Sequence, residues 1–153
     1  MLVERGRVAL TKVDQILHDK QQLTREYIAQ RCHVDRHRVA LLTHLAHRRY
    51  LLGCVTNCSR ETTHQMLTCS QLLPFLTAIV TNEDVHDPKP APEAYQRACS
   101  LLDADPQETL VIEDHPRGVV AAAKAHCHVV QLPEYRQLDV DFVETAIQRA
   151  ERP

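Results

Sequence analysis

The sequence predicts an α/β fold in which a parallel sheet is covered by helices on both faces. From Leu51 onward, four short apolar runs alternate with segments whose apolar residues recur at helical spacing. Short continuous apolar runs are typical of strands buried on both faces. Strand and helix in strict alternation indicate parallel strands joined by right-handed crossovers.

Only helical segments are predicted before the first strand. Apolar residues between about Val8 and Arg31 recur every three or four positions, and Thr24 is a candidate start for a second helix within that stretch. A further helix follows Asp35, a suitable N-cap, and continues to Arg49.

The alternating region contains the remaining elements. Strands are predicted at 51–55, 78–80, 109–112 and 128–132, and helices at 60–67, 93–102, 118–124 and 142–149. A loop with three prolines precedes the helix at 93–102. Ligands of parallel sheets bind beyond the carboxyl ends of the strands, so we expect any chemistry there.

Composition limits the class of protein. The 153 residues suit one domain of ordinary size, and 44% hydrophobic residues suffice for a core. A net charge of −2 provides no basic field for nucleic acid. The sequence has neither a membrane-length apolar run nor a signal-peptide stretch, which predicts a cytoplasmic protein without a membrane partner. Its six cysteines lie mostly in apolar stretches, and we expect them to be reduced.

Polar residues follow the predicted strands. Thr56 offers a hydroxyl and adjacent backbone N–H groups to an anion, and Lys89 is a cation on the proline-stiffened loop. Glu113 and Asp114 are adjacent carboxylates that could hold a divalent cation. Taken singly, these residues are ordinary turn, loop and helix-start residues. Together they are the parts needed to clamp a phosphoryl group.

Three segments resemble motifs of the haloacid dehalogenase-like (HAD) hydrolases. Residues 51–60, LLGCVTNCSR, resemble the second motif of that family, and residues 89–95, KPAPEAY, resemble the third. Residues 110–122, LVIEDHPRGVVAA, resemble the fourth. The likeness extends from about Val34 to the C-terminus and is strongest to the subgroup of β-phosphoglucomutase and phosphoglycolate phosphatase. It implies a Rossmann-like core.

The resemblance also implies an activity. It suggests a Mg²⁺-dependent phosphatase or phosphomutase that acts on a small phosphorylated metabolite. It assigns phosphate binding to Thr56, Asn57 and Lys89. By the same resemblance Lys89 is the catalytic lysine that steadies the nucleophile, and Asp114 holds Mg²⁺ with help from Glu113. Arg60 is a weaker candidate for contact with the substrate.

One expected motif is not found. The first family motif is an apolar strand ending in Asp-x-Asp, whose first aspartate attacks phosphorus. No such strand precedes Thr56, and residues 1–33 instead resemble the later part of a helical cap. We therefore expect a cap remnant at 1–33 and a core lacking the nucleophile strand at 34–153. The chain would then be a truncated product, an enzyme half that receives this strand from a second chain, or a non-catalytic phosphate-binding module.

Other aspartates are poor substitutes for the nucleophile. Asp139 and Asp141 have the required spacing, but the residues before them are polar and do not predict a buried strand. Asp14 lies in a segment that suits a helix.

Two further classes of function are suggested by parts of the sequence. Residues 23–49 have a helix-turn-helix spacing with a basic second helix, which would suit DNA binding. Its basic residues are Arg36, His37, Arg38, Arg48 and Arg49. The acidic chain and the strand that follows argue against a nucleic-acid partner. A zinc site would need a second pair of ligands beside Cys54 and Cys58, and no other pair has the spacing.

Overall fold

The computed structural model describes residues 10–151, with side chains from residue 12 onward. This part of the chain contains six α-helices: α1 (Leu10–Arg31), α2 (Arg36–His47), α3 (Arg60–Cys69), α4 (Glu93–Leu102), α5 (Pro116–Lys124) and α6 (Val140–Ala150). It contains four strands: β1 (Gly53–Val55), β2 (Ala78–Val80), β3 (Leu110–Glu113) and β4 (His128–Gln131). The predicted α/β fold is confirmed, with boundaries that differ from the predicted ones by a few residues at most.

The strands form two separate parallel pairs. In the first pair Val55 lies opposite Val80, and in the second pair Glu113 lies opposite Gln131. Within residues 10–151 no backbone ladder joins β1 to β3. The sheet is therefore parallel as predicted but divided into two halves, each with a strand edge that is not paired inside the described chain.

Helices cover both faces of the strands. Val111 of β3 packs in a buried cluster with Ala121 and Ala122 of α5 and with residues of α4. The next residue, Ile112, packs in a second cluster around Leu41 of α2 and residues of α6. Successive strand residues point to opposite faces, so α4 and α5 lie on one side of β3 while α2 and α6 lie on the other.

The predicted start of a helix at Thr24 is wrong. α1 is continuous through this position, and the Thr24 hydroxyl donates to the Lys20 carbonyl oxygen one turn earlier, 2.8 Å away, instead of capping a new helix. The predicted first helical residue, Val8, lies outside the described residues. Asp35 is the N-cap of α2, as predicted, and accepts a hydrogen bond from the His37 backbone N–H at 2.9 Å.

Two cysteines are joined, which corrects the expectation that all six are reduced. A disulfide links Cys32, which follows α1, to Cys69, the last residue of α3, with 6.2 Å between their Cα atoms. The packing of α1 on α3 brings these residues together, and an ion pair of 2.9 Å between Arg25 and Glu61 supports the same contact. The four other cysteines are free.

Candidate functional site

The side chain of Lys89 joins the ends of the two strand pairs. It is buried, and its Nζ donates to the Val55 carbonyl oxygen at the end of β1, 3.1 Å away. The same Nζ donates to the carboxylate of Glu113 at the end of β3. The exposed fractions of the two side chains are 8% for Lys89 and 9% for Glu113. The proline-rich loop thus holds a cation between the carboxyl ends of β1 and β3.

Glu113 is a buried acceptor of several hydrogen bonds. Besides Lys89, the Tyr95 hydroxyl donates to it at 2.5 Å and the His115 backbone N–H at 3.2 Å. Burial by itself raises the pKa of Glu113, but the hydrogen bonds from Lys89 and Tyr95 outweigh burial and the pKa is lowered. Burial, together with the neighbouring carboxylate, raises the pKa of Tyr95, which keeps the phenol as a neutral donor. Glu113 is therefore an ionised partner of Lys89.

Gly118 leaves room for this carboxylate. A Cβ atom at Gly118 would lie 2.1 Å from Glu113 Oε1, much closer than any real contact. The glycine lies in the first turns of α5 and is itself buried. The first turn of α5 therefore packs directly against the carboxylate that holds Lys89.

Thr56 and Asn57 form the turn that follows β1. The Thr56 backbone N–H donates to the Val80 carbonyl oxygen at 2.9 Å, which extends the pairing of β1 with β2 by one bond. The Thr56 hydroxyl oxygen accepts from the Cys58 backbone N–H at 3.1 Å. Asn57 is exposed, and Thr56 is half-buried. This turn lies directly after Val55, the residue whose carbonyl oxygen receives the lysine.

Asp114 differs from Glu113 in its surroundings. It is exposed, and within residues 12–151 its carboxylate makes neither a hydrogen bond nor an ion pair. His115, not Asp114, caps α5, because His115 Nδ1 accepts from the Arg117 backbone N–H at 3.1 Å. The described side chains do not include any group of three histidines, cysteines or acids placed to share one ion. Asp114 is thus an unengaged oxygen donor at this edge.

Arg60 is held by two acids after β2. Its guanidinium donates to Asp84 Oδ1 at 2.7 Å, and its backbone N–H donates to Glu83 Oε1 at 2.9 Å. Hydrogen bonds from Thr81, and then the contact with Arg60, lower the pKa of Asp84 to about 2. Arg60 therefore lies near the β1 turn with its charge already paired.

The residues named for an alternative nucleophile and for DNA binding make structural contacts instead. The carboxylate of Asp139 caps α6 by accepting from the Phe142 backbone N–H at 2.8 Å. Arg38 is buried with its guanidinium 4.1 Å from the centre of the Tyr135 ring. Arg48 is paired with a carboxylate of α6 at 2.6 Å. None of the helices within residues 10–151 is long and apolar enough to cross a membrane.

Comparison with known proteins identifies the class. Residues 6–132 match the family described as haloacid dehalogenase-like hydrolase, which is most of the chain. The β-phosphoglucomutase structure from Clostridium difficile superposes with a TM-score of 0.79 at 14% identity, covering 97% of this chain and 74% of that chain. The protein therefore belongs to the haloacid dehalogenase-like hydrolase family.

Two relatives share a higher identity over part of the chain. Validoxylamine A 7'-phosphate phosphatase of Streptomyces hygroscopicus subsp. limoneus is 39% identical over 92 residues, which are 60% of this chain and 43% of that protein. Pyrophosphatase PpaX of Bacillus mycoides (strain KBAB4) is 41% identical over 76 residues, 50% of this chain and 35% of that protein. The matched region thus spans less than half the length of either curated relative.

Sequence reasoning did not name Tyr95 or Gly118 as site residues. Tyr95 reads as one of the apolar residues of α4, and only the fold shows that its hydroxyl reaches the end of β3. Gly118 could have been singled out from the sequence. It is one of only three glycines in the chain and falls in a predicted helix, where glycine is unfavourable unless close packing requires it.

Proposed function

We propose that the edge formed by the ends of β1 and β3 binds a phosphate group and Mg²⁺. We further propose that it serves phosphoryl transfer by a phosphatase or phosphomutase acting on a small phosphorylated metabolite. The observation that carries the proposal is the buried ammonium of Lys89, held between Val55 and Glu113. The two sequence relatives, a phosphatase and a pyrophosphatase, support the same reaction class.

Phosphate binding is proposed for three residues. Thr56 would donate its hydroxyl hydrogen, since its oxygen already accepts from Cys58 and its hydrogen faces no acceptor in the described part of the chain. Asn57 would add its exposed amide or its backbone N–H. Lys89 would supply the positive charge, and its position is fixed before the ligand arrives because its two protein partners hold it.

Mg²⁺ binding is proposed for Asp114, with a supporting role for Glu113. An exposed carboxylate oxygen is a suitable hard donor, and Mg²⁺ commonly takes one or two carboxylates and completes its shell with water and substrate phosphate. When bound, the ion would neutralise charge on the phosphoryl oxygens. Glu113 is engaged with Lys89 and Tyr95, so its proposed contribution is chiefly to orient the lysine.

The nucleophile is proposed to come from a strand placed between β1 and β3. The two strand pairs are not joined by a backbone ladder within residues 10–151, and Lys89 contacts the end of one strand of each pair. Unpaired backbone groups of a buried edge are costly, so a further parallel strand would be stabilised there. An aspartate at its carboxyl end would lie beside Lys89. A second chain could supply this strand, and Arg60 could contact substrate if it exchanged Asp84 for a substrate oxygen.

Binding of inorganic phosphate tests the site without requiring turnover. Isothermal titration calorimetry of the chain with phosphate, with and without Mg²⁺, should show binding that Mg²⁺ strengthens. Lys89→Met should weaken binding in both conditions, whereas Asp114→Asn should abolish only the effect of Mg²⁺. Asp139→Asn is the matched control, because its carboxylate caps α6. Equal binding by all four proteins would contradict the proposed site.

Turnover tests the proposed strand. Hydrolysis of p-nitrophenyl phosphate with Mg²⁺ should be close to background for the chain alone. A synthetic apolar peptide ending in Asp-x-Asp should raise the rate, and the same peptide with Asn in place of the first Asp should not. Phosphate binding without turnover under every condition would favour the second candidate function, a phosphate-binding module that does not catalyse. The division of the sheet into two unjoined strand pairs is the observation that supports a non-catalytic module.

A further inference from the structure

α1 carries an apolar stripe that the described chain does not cover. The exposed fractions are 52% for Ile16, 66% for Leu23 and 65% for Tyr27. The opposite side of the helix packs inward, where Ile28 is 7% exposed and Arg25 pairs with α3. A shallow groove runs along the stripe, and α1 alone provides the residues that line it: Ile16, Asp19, Lys20, Leu23, Thr24 and Tyr27.

The lining residues have the spacing of a helix-packing surface. Ile16, Asp19, Lys20 and Leu23 are at i, i+3, i+4 and i+7, which is the diamond that receives one side chain of a facing helix. Lys20, Leu23, Thr24 and Tyr27 repeat the diamond one turn further on. The groove is therefore shaped for the side chains of another α-helix.

We propose that this stripe is a self-association surface on which α1 of a second copy docks in the antiparallel direction. The stripe is nearly symmetric about the point between Asp19 and Lys20: Ile16 lies three residues before Asp19 and Leu23 three residues after Lys20, while Val13 lies six before Asp19 and Tyr27 seven after Lys20. Two copies related by a two-fold axis between Asp19 and Lys20 place Ile16 against Leu23 of the other copy. This is a closed interface, in which each copy uses the same patch.

The charges beside the stripe select the antiparallel direction. Lys12, Asp19 and Glu26 follow one another at seven-residue intervals along one flank. An antiparallel pair sets Lys12 against Glu26 of the other copy twice, and the two Asp19 carboxylates meet beside the two Lys20 ammonium groups. In a parallel pair this flank would face the opposite flank of the partner helix, so Lys12 and Glu26 would not meet and no such ion pairs would form. Both acids are already oriented, because each accepts a hydrogen bond from the glutamine one turn earlier.

The length of the surface indicates a weak dimer. From Val13 to Tyr27 the stripe is about 21 Å long at the helical rise per residue. The area that a single helix pair of this length can bury is at the low end for specific protein–protein interfaces. Interfaces of that size are typical of transient complexes. We expect dimers to form in the micromolar range of protein concentration and to dissociate on dilution.

Sedimentation velocity over a dilution series tests the proposal. The wild-type chain should convert from monomer to dimer with rising concentration. Leu23→Glu should weaken dimerisation at least tenfold, whereas the control Leu101→Glu should leave it unchanged, because Leu101 is 53% exposed on α4. Circular dichroism checks that each variant is folded. A chain that stays monomeric at every concentration would overturn the proposal. Equal weakening of dimerisation by Leu23→Glu and Leu101→Glu would show that the dimer does not form through this stripe.

Charge reversal tests the direction of docking. Glu26→Lys should weaken the antiparallel dimer about tenfold by opposing two lysines at each end, and adding Lys12→Glu should restore it. In a parallel dimer Lys12 and Glu26 do not face each other, so neither the single nor the double variant would change the dimer affinity much. Weakening without restoration by the double variant would overturn the antiparallel arrangement.

Discussion

Removing the charge of Lys89 should leave a buried carboxylate without its cation. Lys89→Met keeps most of the side-chain volume and deletes the ammonium that contacts Glu113. Removing one member of a buried ion pair usually costs 3–5 kcal/mol, roughly, because the other charge stays desolvated. Tyr95 and the His115 backbone N–H still donate to Glu113. We therefore expect the low end of this range, about 3 kcal/mol at neutral pH.

The sign of the pH dependence makes the prediction specific. In the wild type the folded-state pKa of Glu113 lies below its ordinary value of 4.5, so its contribution to stability is present above that pH and is lost as the pH falls through the folded-state pKa. Without the hydrogen bond and the charge of Lys89, the folded-state pKa of Glu113 is higher than in the wild type, because burial is then opposed only by Tyr95 and the His115 backbone N–H. The stability that the variant lacks relative to wild type is therefore smaller once Glu113 is protonated in both proteins. The difference between the two proteins should shrink below about pH 5.

Urea denaturation followed by circular dichroism at pH 7 and pH 4 measures both quantities. The double variant Lys89→Met/Glu113→Gln is the matched control, since it removes both charges with little change of volume, and we expect it to be more stable at pH 7 than Lys89→Met alone. A cost below about 1 kcal/mol for Lys89→Met at pH 7 would refute the buried pair, because exposed ion pairs contribute that little. If Lys89→Met lowers the free energy of unfolding by the same amount at pH 7 and pH 4, the predicted role of Glu113 titration is refuted.

Three further changes test other contacts of the fold by the same denaturation assay. Gly118→Ala should destabilise by about 1–3 kcal/mol through the clash of its Cβ with the buried carboxylate, whereas Gly53→Ala, whose Cβ meets its nearest neighbour at 3.4 Å, should change little. Reduction of the Cys32–Cys69 disulfide, which closes 37 residues, should cost about 4 kcal/mol, and a reductant should have no effect on a variant with serine at both positions. Asp139→Ala should cost about 1 kcal/mol by removing the N-cap of α6, and no loss of stability would argue against that cap.

Much of the fold could be predicted because local signals and tertiary structure agree. The helix at 93–102 and the strand at 78–80 have the predicted boundaries, since an apolar face or a short apolar run is bounded by prolines or polar residues. The division of the sheet into two pairs could not be derived from strand patterns, because an apolar strand does not encode which neighbour it pairs with.

The candidate site was predictable in residue type but not in pairing. The two acids at the end of β3 were both assigned to a metal ion because adjacent carboxylates suit one, yet in the fold their side chains face different ways. Glu113 points to the buried lysine and Asp114 to solvent. Alternation along an extended segment predicts that neighbours face opposite sides, but only tertiary structure shows which side holds Lys89. The Cys32–Cys69 pairing was missed for the same reason, since it depends on how α1 packs on α3.

The position of Lys89 has a consequence for how the proposed site would bind phosphate. The lysine already has two acceptors, and an ammonium group has three hydrogens to donate. One hydrogen therefore remains for a phosphate oxygen without loss of either existing contact. Because Glu113 offsets the lysine charge, the net field at this point is weaker than that of an isolated lysine, and binding of a doubly charged phosphate would depend on a second cation. Asp114 is the exposed donor that could hold one, so the effect of Mg²⁺ on phosphate affinity should be larger than the effect of losing either Thr56 or Asn57.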